Sequence, residues 1–478
     1  MKCIIRLIVT FVLVFSWIPR AFAWRAVSES VPPPPQEFRA AWVASVFNLD
    51  WPKRAGESAG AQKAELIDIL NKAARLKLNA VILQIRPNGD ALYRSPYEPW
   101  SQWLSGAGVN PGYDPLAFAV SEAHRRGIEL HAWFNPFRAK ANSSPVGRGH
   151  VSLRYPELMK KAGGTLVLNP SHPAAQEHVL KVIMDVVKRY DIDGVHLDDY
   201  FYPYPPHHNI RDGKTPAQRR AAIDAFVSRL YSSVKGAKPW VRVGISPFGI
   251  WQPGFPAGIE AGVNAYEHLA CDARKWLSKG WVDYLAPQLY WSCSPARQSF
   301  PALMKWWSDV NPSRPVWPGI STARIQSRED PSRTAAEISR QIGYSRSLAR
   351  SSSGQLFWSW TSLGGNRGGV QGELARCYSS AAVPPAMPWC GRGAPGAPAL
   401  QAAETSRGVY FKWTPADRTA RKWVVQARTH GRWTALCILP GAQTSVTLPR
   451  GFLGAADRVA VRGVSACGNP GGAAAVAR

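Results

Sequence analysis

Two adjacent aspartates, Asp198 and Asp199, directly follow the short apolar run Gly194–Leu197. Neighbouring carboxyl groups raise one another's pKa, so that one can stay protonated while the other is ionised. That division suits a reaction that needs an acid and a base at one centre. Because successive strand residues point to opposite faces, Asp198 and Asp199 are not expected to act together unless the chain turns sharply after Leu197. The partner of Asp198 comes more naturally from another loop, with Asp90 and Asp272 as candidates. Asp199 and Asp272 have structural alternatives, as a loop anchor and as a helix N-cap.

Polar side chains also fall near the ends of other predicted strands. Because side chains alternate along a strand, those in register with Asp198 should face the inside of a parallel barrel. The inward residues are Gln84, Arg86, His131, Trp133, Asn135, His196, Gln288 and Tyr290. A purely structural barrel would fill this space mainly with branched apolar residues, so the convergence favours a functional site. For the two histidines, a role as hydrogen-bonded polar residues is favoured over metal ligation.

Aromatic residues are crowded in the loops that follow these strands. Sugar rings present apolar faces to such side chains, and the chain has 21 tryptophans to supply them. The candidate substrate-binding set therefore also includes Trp100, Arg138, Tyr200, Tyr202, Trp251 and Trp358. Cleavage of a glycosidic bond needs one protonated carboxyl group and one carboxylate, which aspartates can supply. The pattern favours a carbohydrate substrate.

A repeating pattern of strands and helices must position these residues. Eight apolar runs are predicted as strands at 38–44, 80–85, 128–134, 194–198, 241–246, 282–289, 316–320 and 355–359. Helical periodicity predicts helices at 63–76, 115–126, 174–189, 217–235, 266–278, 297–309 and 334–349. Alternating strands and helices indicate a parallel sheet, and eight units fit a (β/α)8 TIM barrel over 38–390. A doubly wound open sheet is less favoured, because no glycine-rich phosphate loop follows the first strand.

Both ends of the chain differ from this repeat. Short alternating segments without helical runs predict a small C-terminal all-β sandwich of fibronectin type III character at 394–478. An apolar run and the triplet Ala21–Ala23 predict a signal peptide over 1–23, followed by a proline-rich spacer at 24–37. We therefore expect an exported protein, periplasmic or secreted, with no stable membrane insertion.

The formal net charge of +26 is strongly basic. In an exported protein it points to an anionic envelope polymer such as peptidoglycan rather than to nucleic acid, although a merely compositional excess of arginine is an equal alternative. Six cysteines outside the predicted signal peptide suggest disulfides, with Cys377–Cys390 and Cys437–Cys467 as the expected pairs. Their spacing does not suggest structural zinc, and we expect no metal and no cofactor.

Seven segments of the predicted barrel form recognisable motifs: Phe38–Val43, Tyr93–Ser101, Pro111–Leu116, Glu122–Pro136, Asp193–Pro203, Gly244–Trp251 and Pro287–Trp291. Together and in this order they resemble the glycosyl-hydrolase-like family ten domain. The resemblance implies a barrel hydrolase. Members of that family include envelope enzymes that cut peptidoglycan glycan strands stripped of their peptides, so the resemblance implies such a strand as the substrate.

Other resemblances leave the mechanism open. The segment Asp193–Asp198 is similar to the fourth strand of α-amylase-type barrels, where the last aspartate is the nucleophile. Here His196 stands where an arginine is usual, and the fifth strand ends in Ser246–Pro247 without the acid glutamate. The segment is also similar to the chitinase motif, but Tyr200 occupies the place of the catalytic glutamate. The general acid stays unassigned, and an α-glucan or another amino-sugar polymer remains an alternative substrate.

Two further functions compete with hydrolysis of a glycan. A non-catalytic carbohydrate-binding barrel would keep the aromatic residues without working acids. A metal-dependent amidohydrolase would use His131, His196 and Asp198 as ligands. It is disfavoured because the first predicted strand lacks the His-x-His that such barrels commonly carry.

Overall fold

Eight parallel strands form a closed barrel in the computed structural model, which describes residues 24–141, 143–391 and 393–478. The predicted signal peptide lies outside the described residues. The strands, called first to eighth below, are Phe38–Val43, Ala80–Arg86, Glu129–Phe134, Gly194–Leu197, Arg242–Ile245, Tyr284–Leu285, Gly319–Ser321 and Gly354–Trp358. The eighth strand pairs with the first, and the sixth and seventh strands are joined by two parallel bridges, Leu285 with Val316 and Gln288 with Gly319. This closure confirms the predicted barrel.

Helices cover the outside of the barrel. The longer ones span Ala59–Arg75, Pro115–His124, Pro173–Arg189, Pro216–Ala237, Phe300–Val310, Ala335–Leu348 and Val370–Cys377. Shorter ones span Val151–Arg154, Ala265–His268, Ala273–Ser278, Trp360–Gly364 and, in the C-terminal region, Arg450–Leu453. The predicted helix 266–278 is thus two helices. The left-handed φ of 52° at Ala270 ends the first, and the side chain of Asp272 caps the second.

The sixth strand is much shorter than the predicted run 282–289. Only Tyr284 and Leu285 pair continuously with the fifth strand, and Gln288 returns as an isolated bridge. Pro287 lies between them and has no N–H to donate to a neighbouring strand. Residues beyond it therefore belong to the mouth of the barrel.

Alternation along the strands sorts the side chains as the sequence predicts. Val195 and Leu197 pack in the layer between strands and helices, whereas His196 contacts Trp42 inside the barrel. Gly244 leaves space for the ring of Tyr284 inside the barrel, because a Cβ atom at this position would lie 2.0 Å from Cζ of Tyr284. The ring of Tyr284 can therefore cross the barrel and reach the histidines.

A smaller antiparallel sheet rises from the loop after the third strand. It consists of Arg138–Ala141, Met159–Ala162 and Thr165–Leu168. The sequence did not predict this sheet. Its first strand begins at Arg138, which lines the cavity at the barrel mouth. Over the residues that the structure describes, no helix is both long and apolar enough to cross a membrane.

The C-terminal region forms two antiparallel sheets, which confirms the predicted all-β module. One sheet contains, in order, Arg25–Val27, Pro470–Ala477, Arg458–Ser465, Ala420–Thr429 and Arg432–Pro440. The other contains Ala399–Thr405, Gly408–Thr414 and Ser445–Leu448. Residues 24–37, predicted as a spacer, therefore add an edge strand to this module.

The disulfide joins Cys390 to Cys467, with the Cα atoms 6.1 Å apart. Both predicted pairings are wrong, because Cys377 and Cys437 are free thiols. The backbone N–H of Met387 donates to the carbonyl of Cys467 at 2.8 Å, so the linker after the barrel runs along this turn of the module. That approach spans 77 residues of sequence and has no local signature.

Candidate active site

A cavity of about 370 Å³ opens at the carboxyl ends of the barrel strands. In (β/α)8 barrels the loops at this end build the active site. The lining residues are Trp42, Val46, Phe47, Leu49, Gln84, Trp133, Arg138, Asp198, Asp199, Ser246, Gln288, Tyr290 and Trp358. Within the described part of the chain, Asp198 and Asp199 are the acidic residues of this lining. Carboxyl chemistry in the cavity therefore rests on this pair.

Asp198 lies buried at the end of the fourth strand. Asn135 donates a hydrogen bond to its Oδ2 atom, and the backbone N–H of Tyr200 donates to Oδ1 at 3.3 Å. Burial raises the pKa of Asp198 to about 7; the positive charge of Arg138 opposes this rise and the charge of Asp199 adds to it. A carboxyl group with this pKa carries its proton in about half of the molecules at neutral pH. Asp198 can therefore act as a proton donor.

Asp199 enters the same cavity because the chain turns as soon as the fourth strand ends at Leu197, and Phe201 N–H donates to the carbonyl of Asp199 at 2.9 Å. The hydroxyl of Tyr204 donates to Oδ2 of Asp199, and the side chain of Gln288 also interacts with this carboxyl group. Burial raises the pKa of Asp199, whereas these two contacts lower it. The adjacent carboxyl groups thus have different partners, which allows different protonation states.

The floor of the cavity rests on a hydrogen-bonded chain inside the barrel. Nε2 of His196 accepts from the indole N–H of Trp42 at 3.1 Å, and Nδ1 of His196 lies 2.9 Å from the hydroxyl of Tyr284. The same hydroxyl lies 2.9 Å from Nδ1 of His131. Burial lowers the pKa of His196, so this ring is neutral. Both histidines, predicted as substrate-binding, lie outside the lining: His196 holds Trp42 directly, and His131 is joined to His196 through Tyr284.

Arg86 and Asn135, also predicted as substrate-binding, support the site from behind. Arg86 forms a fully buried ion pair with Glu98, with Nε and Oε2 2.8 Å apart, and donates to the carbonyl of Pro136 at 3.0 Å. The side chain of Gln84 donates to Oδ1 of Asn135, which in turn holds Asp198. Neither Arg86 nor Asn135 is in the lining.

Aromatic side chains form the walls of the cavity. The rings of Trp133 and Trp358 meet edge to face with their centroids 6.2 Å apart. The guanidinium of Arg138 lies 4.3 Å from the ring centroid of Tyr200, which stands just outside the lining. Gln288 and Tyr290 complete the lining at the sixth strand. The sequence placed these residues correctly at the barrel mouth.

The two other candidate carboxyl groups lie outside the cavity lining. Oδ1 of Asp90 accepts from the N–H of Asn88 at 3.1 Å, and Oδ2 accepts from the N–H of Gln102 at 3.3 Å. Asp272 caps a helix by accepting from the N–H of Lys275 at 3.3 Å. Both aspartates therefore fix backbone, and the predicted partner of Asp198 is not found at either position.

Three predicted aromatic contacts also lie elsewhere. Trp100 is half-buried in a separate surface groove on the loop after the second strand. The hydroxyl of Tyr202 is 3.0 Å from Oδ2 of Asp212, to which it donates. Trp251 packs edge to face on Tyr266 with ring centroids 5.1 Å apart. These rings stabilise loops around the barrel.

Several lining residues were missed by the sequence analysis. Trp42 has the inward parity of the first strand and could have been found by the alternation that identified His196. Ser246 directly follows the fifth strand, and its hydroxyl lies 3.1 Å from Nε2 of His196. Val46 and Phe47 belong to a loop whose composition gives no signal of a site.

The metal-dependent alternative finds no support in the geometry. Among the residues that the structure describes, no group of three histidine, cysteine, aspartate or glutamate side chains is placed to hold a metal ion. His131 and His196 are instead joined through the hydroxyl of Tyr284.

A closed parallel barrel with buried carboxyl groups in an aromatic-walled cavity at its strand ends is the arrangement of a glycoside hydrolase-like barrel protein. The chain belongs to the glycosyl hydrolase-like 10 family, whose characteristic sequence pattern matches residues 37–332. The match contains the strands that carry Trp42, Trp133, the aspartate pair and Gln288. It ends before the eighth strand.

Named relatives support this assignment. The chain is 37% identical over 428 residues to the glycosyl hydrolase YngK of Bacillus subtilis, covering 84% of this chain and 82% of the relative. It is 35% identical over 308 residues to the glycosyl hydrolase DigH of Escherichia coli K12, covering 58% of this chain and 70% of the relative.

Solved structures resemble the chain only distantly. The endo-β-1,4-mannanase of Thermotoga petrophila is 12% identical with a TM-score of 0.45, covering 94% of this chain and 98% of that one. The glycoside hydrolase domain of PgaB (BpsB) from Bordetella bronchiseptica is 15% identical with a TM-score of 0.45, covering 72% of this chain and 98% of that one.

Proposed function

We propose that this protein is a glycoside hydrolase that cleaves glycosidic bonds in a cell-envelope polysaccharide, with peptide-free peptidoglycan glycan strands as its substrate. The observation that carries the proposal is the pair of buried, adjacent carboxyl groups in an aromatic-walled cavity, with the pKa of Asp198 raised to about 7. Hydrolysis of a glycosidic bond requires a protonated carboxyl group beside an ionised one.

In this proposal Asp198 is the general acid. It protonates the oxygen of the leaving sugar, because its raised pKa keeps the proton available near neutral pH. Asp199 acts in its charged form, which Tyr204 and Gln288 favour, and stabilises the positive charge that develops on the sugar ring. Water then adds to the anomeric carbon, and Asp198, which has given its proton to the leaving sugar, takes the proton that the water releases. This assignment differs from the nucleophile role that the α-amylase motif implies for the last aspartate of the fourth strand.

The choice of polymer rests on charge and on the relatives. The chain carries a net charge of +26, and Arg138 adds a positive charge to the cavity itself. Muramic acid carries a carboxylate, so a glycan strand without its peptides is an anionic polymer that suits this charge. Relatives that are 37% and 35% identical over the aligned residues carry the name glycosyl hydrolase.

The same proposal places the protein outside the cytoplasm, in the periplasm or the medium. Residues 1–23 have the pattern of a signal peptide. The Cys390–Cys467 disulfide supports this location, because disulfides persist in oxidising compartments.

The test is product analysis by mass spectrometry after incubation of the protein with peptide-free glycan strands. The wild type should release short saccharides, and Asp198→Asn should do so about 10²- to 10⁴-fold more slowly while still binding the polymer. Asp272→Asn is the matched control, because asparagine caps a helix as well as aspartate does, and it should be as active as the wild type.

The other outcomes separate the alternatives. An intact polymer that the wild type nevertheless retains would establish a carbohydrate-binding barrel without catalysis. Neither cleavage nor retention would move the substrate to another polysaccharide, such as an α-glucan or a different amino-sugar polymer.

A further inference from the structure

Phe47 is an exposed aromatic residue at the mouth of the candidate active site. Its side chain is 73% exposed, yet it belongs to the cavity lining, together with Leu49, which is 44% exposed. Exposure of a large apolar side chain to water is unfavourable, and a contiguous apolar surface at a cavity mouth marks a binding surface. Over the residues that the structure describes, the lining on this side of the cavity thus consists of apolar side chains, of which Phe47 and Leu49 are exposed.

The backbone holds Phe47 in this position against its own preference. Phe47 has φ 58° and ψ 18°, and Asn48 has φ 51°. The left-handed region is disfavoured for a residue with a Cβ atom, least for asparagine and strongly for a bulky side chain. Such strain persists only where the surroundings determine it.

Several contacts fix the loop. The side-chain amide of Asn48 donates to the carbonyls of Pro52 at 2.9 Å and of Trp103 at 2.7 Å. The ring of Trp103 supports Phe47 edge-on, with centroids 5.1 Å apart. Asp50 accepts from the N–H of Ala44 at 2.8 Å, which closes the base of the loop.

Hydrogen bonds also connect this loop to the carboxyl group of Asp198. Oε1 of Gln84 accepts from the N–H groups of Ser45 and Val46, each at 2.9 Å. The amide of Gln84 then donates to Asn135, which donates to Asp198. The position of Phe47 is therefore set by the same hydrogen bonds that set the acid.

We propose that Phe47 is a stacking platform for a sugar ring of the glycan, at a subsite next to the glycosidic oxygen that Asp198 protonates. The ring of Phe47 takes the apolar C–H face of a pyranose, and Val46 and Leu49 extend this apolar wall. The inference rests on the proposed function, since it assigns a binding residue to the same site. Phe47 contacts the substrate away from the reacting atoms and determines affinity for the polymer.

The test compares steady-state hydrolysis of peptide-free glycan strands by Phe47→Ala, Phe47→Trp and Phe452→Ala. Phe452 is the matched control, because it is a 52% exposed phenylalanine in the C-terminal module. Phe47→Ala should raise KM about tenfold with little change in kcat, because it removes binding that is equal in the ground and transition states. Phe47→Trp and Phe452→Ala should both have the KM of the wild type.

A second variant separates binding from folding. Phe47→Asn keeps the left-handed backbone at lower cost, so its thermal midpoint should equal or exceed that of the wild type while KM rises as for Phe47→Ala. If both variants lower the thermal midpoint and leave KM at the wild-type value, Phe47 is a packing residue and the proposal is overturned.

Failure of the two proposals is distinguishable. If the wild type cleaves the strands and Phe47→Ala has the same KM, the proposed role of Phe47 is overturned, whereas the proposed hydrolase function is supported. A wild type that neither cleaves nor retains the strands overturns both.

Discussion

At the scale of single residues, the site depends on how two neighbouring carboxyl groups come to differ. Asp198 accepts from the side-chain amide of Asn135, whereas Asp199 accepts from the hydroxyl of Tyr204, and the charge of Arg138 lowers the pKa of both. Burial raises the pKa of both. The difference in pKa between the two carboxyl groups therefore depends on a few nearby side chains, each of which can be replaced separately.

Replacement of Arg138 by glutamine tests the role of Asp198 through the pH dependence of activity. Arg138 lowers the pKa of Asp198, so its removal should raise that pKa further above about 7. An acid works in its protonated form, and activity is lost as pH rises through its pKa. The alkaline limb of kcat/KM should therefore move up by about 1 pH unit.

The control for this profile is Arg432→Gln, an exposed arginine in the C-terminal module. It should leave the alkaline limb in place. A limb that stays fixed in Arg138→Gln, or moves to lower pH, would show that Asp198 is not the group that limits activity at high pH.

At the scale of strands and helices, the sequence predicts what is periodic. Alternation along the fourth strand placed His196 and Asp198 inside the barrel, and the structure agrees. The same rule placed Arg86 inside, but could not tell that Glu98 would neutralise it in a buried pair. Contacts between a strand and a distant loop depend on the path of that loop, which has no period.

The loops show this limit most clearly. Asp90 follows the second strand, as a catalytic carboxyl group would, but the loop folds back so that Leu92 N–H donates to the carbonyl of Ile85 at 2.9 Å. Asp90 then anchors the loop. The sequence did not predict Phe47 as a lining residue. Its exposed position depends on a left-handed backbone conformation, which a phenylalanine in the sequence does not indicate.

The buried ion pair of Arg86 with Glu98 ties the loop after the second strand to the barrel. His178 adds a contact, with Nε2 3.0 Å from Oε1 of Glu98. Burial would raise the pKa of Glu98, but Arg86 and His178 lower it to about 2. Glu98→Gln should destabilise the fold by about 3 kcal/mol at neutral pH, because Arg86 is left buried without its counter-charge.

Chemical unfolding at several pH values checks this prediction. A lowered folded-state pKa gives stability that is present above the unfolded value of about 4.3 and is lost as pH falls toward about 2. The difference between wild type and Glu98→Gln should therefore shrink over that range. Glu157→Gln, which changes an exposed glutamate elsewhere on the barrel, is the control, and equal stability of all three proteins would contradict the role of the pair.

At the scale of the whole molecule, the C-terminal module is bound to the base of the barrel, opposite the cavity. Glu129 begins the third strand and is buried beside Lys422 of the module, with Nζ and Oε1 3.0 Å apart. Arg242 of the fifth strand lies 3.5 Å from the same carboxylate. Burial would raise the pKa of Glu129, but Lys422 and Arg242 hold it well below its ordinary value. The module therefore supplies a charge that the barrel needs.

A double-mutant cycle on Lys422→Met and Glu129→Gln measures that dependence. Each single change leaves a buried charge poorly compensated and should cost about 3 kcal/mol, whereas the double variant should cost at least about 1.5 kcal/mol less than the sum. The exposed pair of Lys305 and Asp309 on one helix is the control, with an expected coupling of about 0.4 kcal/mol. Additive effects at Lys422 and Glu129 would mean that module and barrel are stabilised separately. A large coupling would mean that the module helps to hold Glu129, the carboxylate at the lower end of the hydrogen-bonded chain that runs through His131, Tyr284 and His196 to Trp42 in the cavity.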